Sequence, residues 1–276
     1  MSYKTIIVHV DDSLHAAERI RVAAALAAEH GAHLTGVAAT GVSRFAYPNS
    51  NPELAVSAPA GKISELRERA RAALLAFDRR ARSAGVTAFE SALVEDDAVG
   101  ALELRARYAD LVVVSQADRD EPSTSMGTGL PEYLMLNTGR PVLIVPYAGT
   151  FATVGANALV AWDESVEATR AISNALPMLA RARKVTVAVF NAAPSEGRQP
   201  GHDIALFLAR HGVPCEVSSQ SSPVAVGPCM LSMTCDLGTD LIVMGGYGHS
   251  RLREMLLGGA TAAILESMTV PVLMSH

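Results

Sequence analysis

Two glycine clusters near the end of the chain have the residue types and spacing to do chemistry. Gly245-Gly246-Tyr247-Gly248 is followed, nine residues later, by Gly258-Gly259-Ala260-Thr261. The first cluster comes directly after an apolar run, Asp240-Leu241-Ile242-Val243-Met244, that reads as a buried strand. Glycines just past a strand and just before a helix let bare backbone N–H groups approach an anion. A fold with few cations holds phosphate in this way. The spacing points to a nucleotide. Taken singly, Gly245, Gly248 and Gly258 also fit turn and packing roles. The strand context and the repeat described next favour phosphate contact.

The elements that must position these glycines recur in both halves of the chain. Thr5-Ile6-Ile7-Val8-His9-Val10-Asp11-Asp12-Ser13 resembles Asn157-Ala158-Leu159-Val160-Ala161-Trp162-Asp163-Glu164-Ser165, displaced by 152 positions from Asp11 to Asp163. Ala109-Asp110-Leu111-Val112-Val113-Val114 matches Thr239-Asp240-Leu241-Ile242-Val243-Met244, displaced by 130 positions. Pro141-Val142-Leu143-Ile144-Val145 matches Pro271-Val272-Leu273-Met274-Ser275 at the same 130. Two elements at one displacement indicate a tandem repeat of α/β units. The strands are short, β-branched and apolar on both faces, as a parallel sheet covered by helices requires. The second strands are His33–Val37 and Lys184–Val189. Ser13 and Ser165 are placed to cap helices, and Gly31, Gly85 and Gly212 to stop them. Leu66, Ala70, Ala73, Leu74 and Phe77 form the apolar stripe of a helix over 62–84. The expected domains are 1–147 and 156–276, joined near 147–156. Asp163, Val189 and Gly245 all fall at strand C-terminal ends, so they should converge on one crevice where the connectivity reverses.

Composition narrows the classes. The chain has 276 residues, is 49% hydrophobic and carries a net charge of −5, so nucleic acid is not expected as a partner. No apolar run approaches the roughly 20 residues that span a bilayer, and the start of the chain does not read as a signal peptide. A cytoplasmic protein is expected. Cys215, Cys229 and Cys235 lack CxxC spacing and are expected to be buried or free thiols. The histidines His9, His15, His30 and His33 do not have the spacing of a helical metal pair. There is no Gly-x-x-x-x-Gly-Lys-Ser/Thr loop, no Gly-x-Ser-x-Gly elbow and no Ser-Gly-Gly-x-Asp-Ser loop.

The combination of a strand, Gly-x-x-Gly, nine residues, Gly, a helix and a Pro-Val-Leu strand, with an initial strand ending in Asp, resembles the universal stress protein family. The resemblance covers nearly the whole chain, once per half, more strongly in the second. It implies two tandem doubly wound α/β domains, each an open five-stranded parallel sheet with helices on both faces, as in adenine nucleotide alpha hydrolases. It also implies an intramolecular pseudo-dimer in which strands 141–146 and 271–275 pair, with a homodimer as a further form. The family's ATP-binding branch implies a nucleotide site in the second domain over Ala161, Asp163, Val189, Met244, Gly245, Gly248, His249, Gly258, Gly259, Ala260 and Thr261. Val189 would contact adenine, and Asp163 would lie near ribose and Mg²⁺. Read from its own position, Asp163 is equally a helix-capping carboxylate, Tyr247 and Trp162 either stack on a base or simply pack, and Arg251 reaches phosphate or pairs with Glu254.

The match departs from the family at two places. Gly259 stands where the ATP-binding branch carries Ser or Thr. One lost neutral hydrogen bond is worth about 0.5–1.5 kcal/mol, so binding would weaken roughly tenfold, and Thr261 is placed to compensate. In the first half Ser115-Gln116-Ala117-Asp118 occupies the positions of the first glycine cluster, and Thr128-Gly129 those of Gly258-Gly259. The first domain is therefore not expected to bind a nucleoside triphosphate in the family's manner. With no lysine reaching toward the cradle, the sequence favours ATP as a regulatory ligand of a stress-response protein. A non-nucleotide scaffold of the same fold stands second and a slow ATPase third.

Overall fold

Short runs of β-branched and aliphatic residues separated by alanine-rich helices give a mainly parallel, doubly wound α/β structure. The computed structural model describes residues 2–41, 60–118, 129–192, 199–221, 223–247 and 259–276. Residue contacts group Tyr3–Arg140 as one unit and Pro141–His276 as another.

In the first unit β1 (Thr5–His9), α1 (Ala16–His30), β2 (His33–Ala39), α2 (Ala60–Ser83), β3 (Phe89–Val94), α3 (Ala98–Ala106), β4 (Leu111–Ser115) and α4 (Leu130–Asn137) follow in order. The strands lie β3-β2-β1-β4, all parallel. Helices α1 and α2 pack together, as do α3 and α4. The second unit contains β5 (Val142–Val145), β6 (Asn157–Ala161), α5 (Val166–Leu179), β7 (Lys184–Phe190), α6 (His202–Arg210), β8 (Glu216–Gln220), α7 (Val226–Asp236), β9 (Leu241–Gly245), α8 (Ala260–Ser267) and β10 (Val272–Ser275). Its strands lie β5-β10-β9-β6-β7-β8. Five are parallel, and β5 joins them antiparallel to β10 through Val272↔Ile144, Leu273↔Leu143 and Met274↔Val142. The final strands of the two repeats thus pair as the resemblance implied, and β5 groups with the second unit.

The local signals held where backbone chemistry alone decides. Gly31, Gly85 and Gly212 follow helices with left-handed φ of 61°, 77° and 75°. The stripe on α2 is buried at Ala70, Ala73, Leu74 and Phe77. Ser165 caps α5 by accepting from Ala168 N at 3.1 Å. Ser13 does not cap α1. That helix starts later, with His15 at the N-cap and no side-chain capping bond, so Ser13, whose hydroxyl donates to Asp11 Oδ1 at 2.6 Å, lies outside the capping position.

One aspartate in each repeat locks the first strand to the fourth. Asp110, just before β4, accepts from Lys4 N at 2.7 Å and Thr5 N at 3.0 Å. Asp240, just before β9, accepts from Gly155 N (3.1 Å), Ala156 N (3.1 Å), Asn157 N (2.8 Å) and Thr153 Oγ1 (2.6 Å). A carboxylate with two acceptor oxygens satisfies several adjacent N–H groups at once, which fixes the start of β6 beside β9. Asp240→Ala leaves these part-buried donors without their acceptor and is expected to cost about 1–3 kcal/mol. Urea denaturation followed by the fluorescence of Trp162, the single tryptophan, checks it. Asp110→Ala should cost less, since it releases fewer bonds.

Candidate functional site

The strand order β9-β6-β7 sets three neighbouring parallel strands with their C-terminal ends at one edge. Register pairs Val160 with Val243 and Ala161 with Ala188. Asp163 lies two residues past β6, Val189 is the penultimate residue of β7 and Gly245 ends β9. The edge expected to gather Asp163, Val189 and Gly245 does gather them. It is the point at which the chain, having run from β6 outward to β7 and β8, returns to the other side at β9.

Each residue has a defined task there. Asp163 is exposed, and its Oδ1 accepts from Ser165 N at 3.0 Å and Ser165 Oγ at 2.6 Å. It holds the serine that caps α5 and is not itself the cap. Val189 is 7% exposed and packs against Gly201, whose Cβ, if present, would lie 3.0 Å from a Val189 methyl. Ala161 is half-buried, and Met244 is 4% exposed inside the sheet, in register with Met274. A Cβ on Gly245 would lie 2.6 Å from Ala168 N and 2.7 Å from the Glu167 carbonyl carbon. This glycine is required by the close approach of α5, whatever the loop beyond it binds. Gly259 is the N-cap of α8 with no side-chain capping bond, and Ala260 opens the helix. Thr261, the next residue, is 3% exposed and its Oγ1 accepts from Tyr247 N at 3.2 Å. Gly248, His249 and Gly258 lie outside the described residues, as do Arg251 and Glu254.

The backbone at this edge is unusual in a way the sequence does not announce. Among the described residues, three non-glycines have left-handed φ: Glu164 at 64°, Asn191 at 52° and Tyr247 at 56°. They follow β6, β7 and β9 respectively. Such conformations cost of order 1–3 kcal/mol each and collect at functional sites, where the surroundings enforce them.

The corresponding edge of the first unit is organised around a buried cation. Arg19 on α1 is 0% exposed. Its Nη2 donates to Asp11 Oδ1 at 2.7 Å, its Nη1 to Ser115 Oγ at 2.8 Å and its Nε to the His9 carbonyl at 2.7 Å. Ser115 stands at the position of Gly245 and Asp11 at that of Asp163, so the first repeat neutralises its own carboxylate. Asp118, the counterpart of Gly248, pairs with His15 Nε2 at 2.9 Å. Arg69 bridges to Asp12 across the same edge, with Nε 2.9 Å from the carboxylate. The cavity lined by Asp11, Asp12, Thr40 and Arg69 holds about 30 Å³, against the several hundred usual for a ligand pocket. Nothing in the sequence motifs singles out Arg19. Its signal was a charge at the head of an apolar stripe, with Ala23, Ala27 and His30 following on the buried face.

Burial shapes the titration of this cluster. Burial pushes the His9 imidazole down to about 4, with Arg19 adding to the effect and Asp11 opposing it. Neither ring nitrogen makes a hydrogen bond, and Nδ1 lies 3.5 Å from Asp11 Oδ2. Burial raises Asp11, but the charges of Arg19 and His9 and the hydrogen bonds from Ser13 and Arg19 outweigh it and hold the carboxyl well below the usual carboxylate range. His9 is neutral in the folded state and must gain a proton that the unfolded chain accepts near 6.5. Stability is therefore complete above about pH 6.5 and falls by about 3 kcal/mol as pH drops toward 4. Asp11 adds a loss only below about pH 4, where the unfolded carboxylate protonates first. Denaturation midpoints between pH 4 and 7 should flatten in His9→Gln. Arg19→Met leaves Asp11 buried without its counter-charge and should cost about 3–5 kcal/mol at pH 7, with part of the loss recovered in Arg19→Met/Asp11→Asn.

Comparisons with known proteins fit this architecture. The sequence model of the Universal stress protein family matches residues 2–146. That is the half whose glycine cluster is degraded. A curated relative, Universal stress protein Slr1230 of Synechocystis sp., is 45% identical over 38 residues, 14% of this chain and 13% of that protein. A universal stress protein from Archaeoglobus fulgidus superposes with a TM-score of 0.73 at 15% identity, over 98% of this chain and 95% of its own. A universal stress protein solved in complex with cAMP covers 54% of this chain and 100% of its own at 25% identity, with a TM-score of 0.41 that is too low to carry its ligand across. The family match over more than half the chain, together with the doubly wound repeat, places the protein in the universal stress protein family.

Proposed function

We propose that the second repeat binds an adenine nucleotide, ATP, as a regulatory ligand at the C-terminal edge of β6, β7 and β9, within a cytoplasmic stress-response protein. The observation that carries this reading is the cluster of left-handed non-glycine residues, Glu164, Asn191 and Tyr247, at the ends of those three strands. The first repeat has no such residue among those described. The uncapped N-terminus of α8 behind Gly259 supports the reading, since its first N–H groups favour a negative charge. Asp163 keeps its second carboxylate oxygen clear of the serine it holds. That suits one protein ligand to Mg²⁺ arriving with a triphosphate. The metal would supply charge neutralisation there. Val189 and Gly201 would floor the base site, and Gly248, His249 and Gly258 would complete the phosphate loop. Domains 1–147 and 156–276 then differ in role. Arg19 already occupies the charge position of the first edge, so the first repeat binds no nucleotide. The glycine clusters 245–248 and 258–261 contain no lysine of the kind that reaches transferring phosphates in a phosphate-binding loop, so turnover, if measured, should be slow.

Equilibrium binding of labelled ATP with Mg²⁺ tests this, with ADP and cAMP as competitors. Gly248→Asp should weaken ATP binding at least about tenfold, by placing a carboxylate in the phosphate loop. Asp163→Ala should weaken it mainly when Mg²⁺ is present. Equal binding by wild type and Gly248→Asp would defeat the assignment of this loop. Occupancy of two sites per chain would defeat the assignment of one repeat.

A further inference from the structure

Three hydrogen bonds, two from the end of β10 and one from α8, fix the two residues from which the glycine loop departs. Gly246 N donates to Ser275 O at 3.0 Å, His276 Nδ1 lies 3.0 Å from Gly246 O, and Tyr247 N donates to Thr261 Oγ1 at 3.2 Å. The Gly246 and Tyr247 amides are therefore already engaged and are not free for phosphate. The Tyr247 bond also spans the base of the loop, since its partners stand 14 positions apart on either side of residues 248–258. Tyr247 holds a φ of 56°, which a tyrosine does not adopt without support from its surroundings. The supporting hydroxyl is buried, with Thr261 only 3% exposed.

We propose that Thr261 is a positioning residue of the nucleotide site and not a phosphate contact. Its hydroxyl oxygen staples Tyr247, two residues past β9, in its left-handed conformation. The proposal rests on the nucleotide reading of this loop, and it replaces the expectation that Thr261 makes good the hydroxyl missing at Gly259. The chain contains its own control. At a displacement of 130 positions the first repeat has Pro131 for Thr261, Ala117 for Tyr247 and Pro146 for His276. Each side-chain anchor is lost in the repeat that has lost the glycines. A hydroxyl that served only to start a helix would have no reason to disappear together with the loop it ties.

The test compares wild type, Thr261→Val, Thr261→Ser and Tyr247→Gly, alone and with Thr261→Val. It measures ATP affinity with Mg²⁺ and, in nucleotide-free protein, hydrogen exchange of the Tyr247 amide (residue 247 in every variant). Thr261→Val should accelerate exchange at residue 247 and weaken ATP about tenfold, while Thr261→Ser preserves both. In the Tyr247→Gly background, where glycine accepts a left-handed φ unaided, the same Thr261→Val change should alter affinity by no more than about twofold. Lost affinity with an unchanged exchange rate, or an equal loss in the glycine background, would make Thr261 a direct contact and overturn the proposal. Unchanged affinity in Thr261→Val would overturn it as well. If wild type binds no ATP, the nucleotide reading fails, and the exchange rates still decide whether Thr261 holds Tyr247.

Discussion

The carboxylate of Asp240, gripping the backbone where β6 begins, is the constraint on which the second repeat depends. Parallel strands cannot be joined by a tight turn, so β6 and β9 meet only after most of the repeat's chain has passed between them. Something must fix their register once they meet. A single ionised side chain that satisfies three consecutive N–H groups does so at the N-terminal end of the strands. At the opposite end, Gly245 admits the first turn of α5 against the backbone of β9. With both ends fixed, Asp163, Val189 and the departure of the glycine loop have no choice of neighbours. Asp110 repeats the device in the first half with fewer bonds.

The two repeats show how one scaffold diverges by exchange of charge. In the second, Ala171 stands where Arg19 stands in the first, Gly245 where Ser115 stands, and Ala161 where His9 stands. With small residues at these positions no guanidinium among the described residues meets Asp163, which is exposed. In the first repeat the guanidinium bonds the carboxylate, the hydroxyl and the strand carbonyl at once. A buried ion pair of this kind adds little net stability over an apolar packing but is costly to break, so it holds the edge in one arrangement. The uncharged His9 beside it makes that arrangement sensitive to acid.

Much of the fold was legible because it follows from rules acting over a few residues. Glycines at 31, 85 and 212 ended helices because only they enter the left-handed region without strain. Leu66 to Phe77 formed a stripe because a helix repeats every few residues. The displacement of 130 positions exposed the strands that close each repeat. Ser13 does not cap, although Ser165 makes the same contact with its aspartate and does, because α1 begins only at Ala16 and puts His15 at the cap position. Arg19 was missed because a single arginine in an alanine-rich helix looks like surface until its partners, from β1 and β4, are brought beside it.

The sequence by itself determined the family, the repeat, the strand–helix order and the edge at which Asp163, Val189 and Gly245 meet, since all of these are written in local periodicity and in the likeness of one half to the other. Only the tertiary structure decided what each residue does at that edge. It made Gly245 a packing requirement, gave the Thr261 hydroxyl to Tyr247, set three non-glycines in left-handed conformations and put a buried arginine where the first repeat would otherwise be open. These outcomes depend on which groups far apart in the chain compete for the same few angstroms and the same hydrogen bonds, and no local pattern encodes that competition.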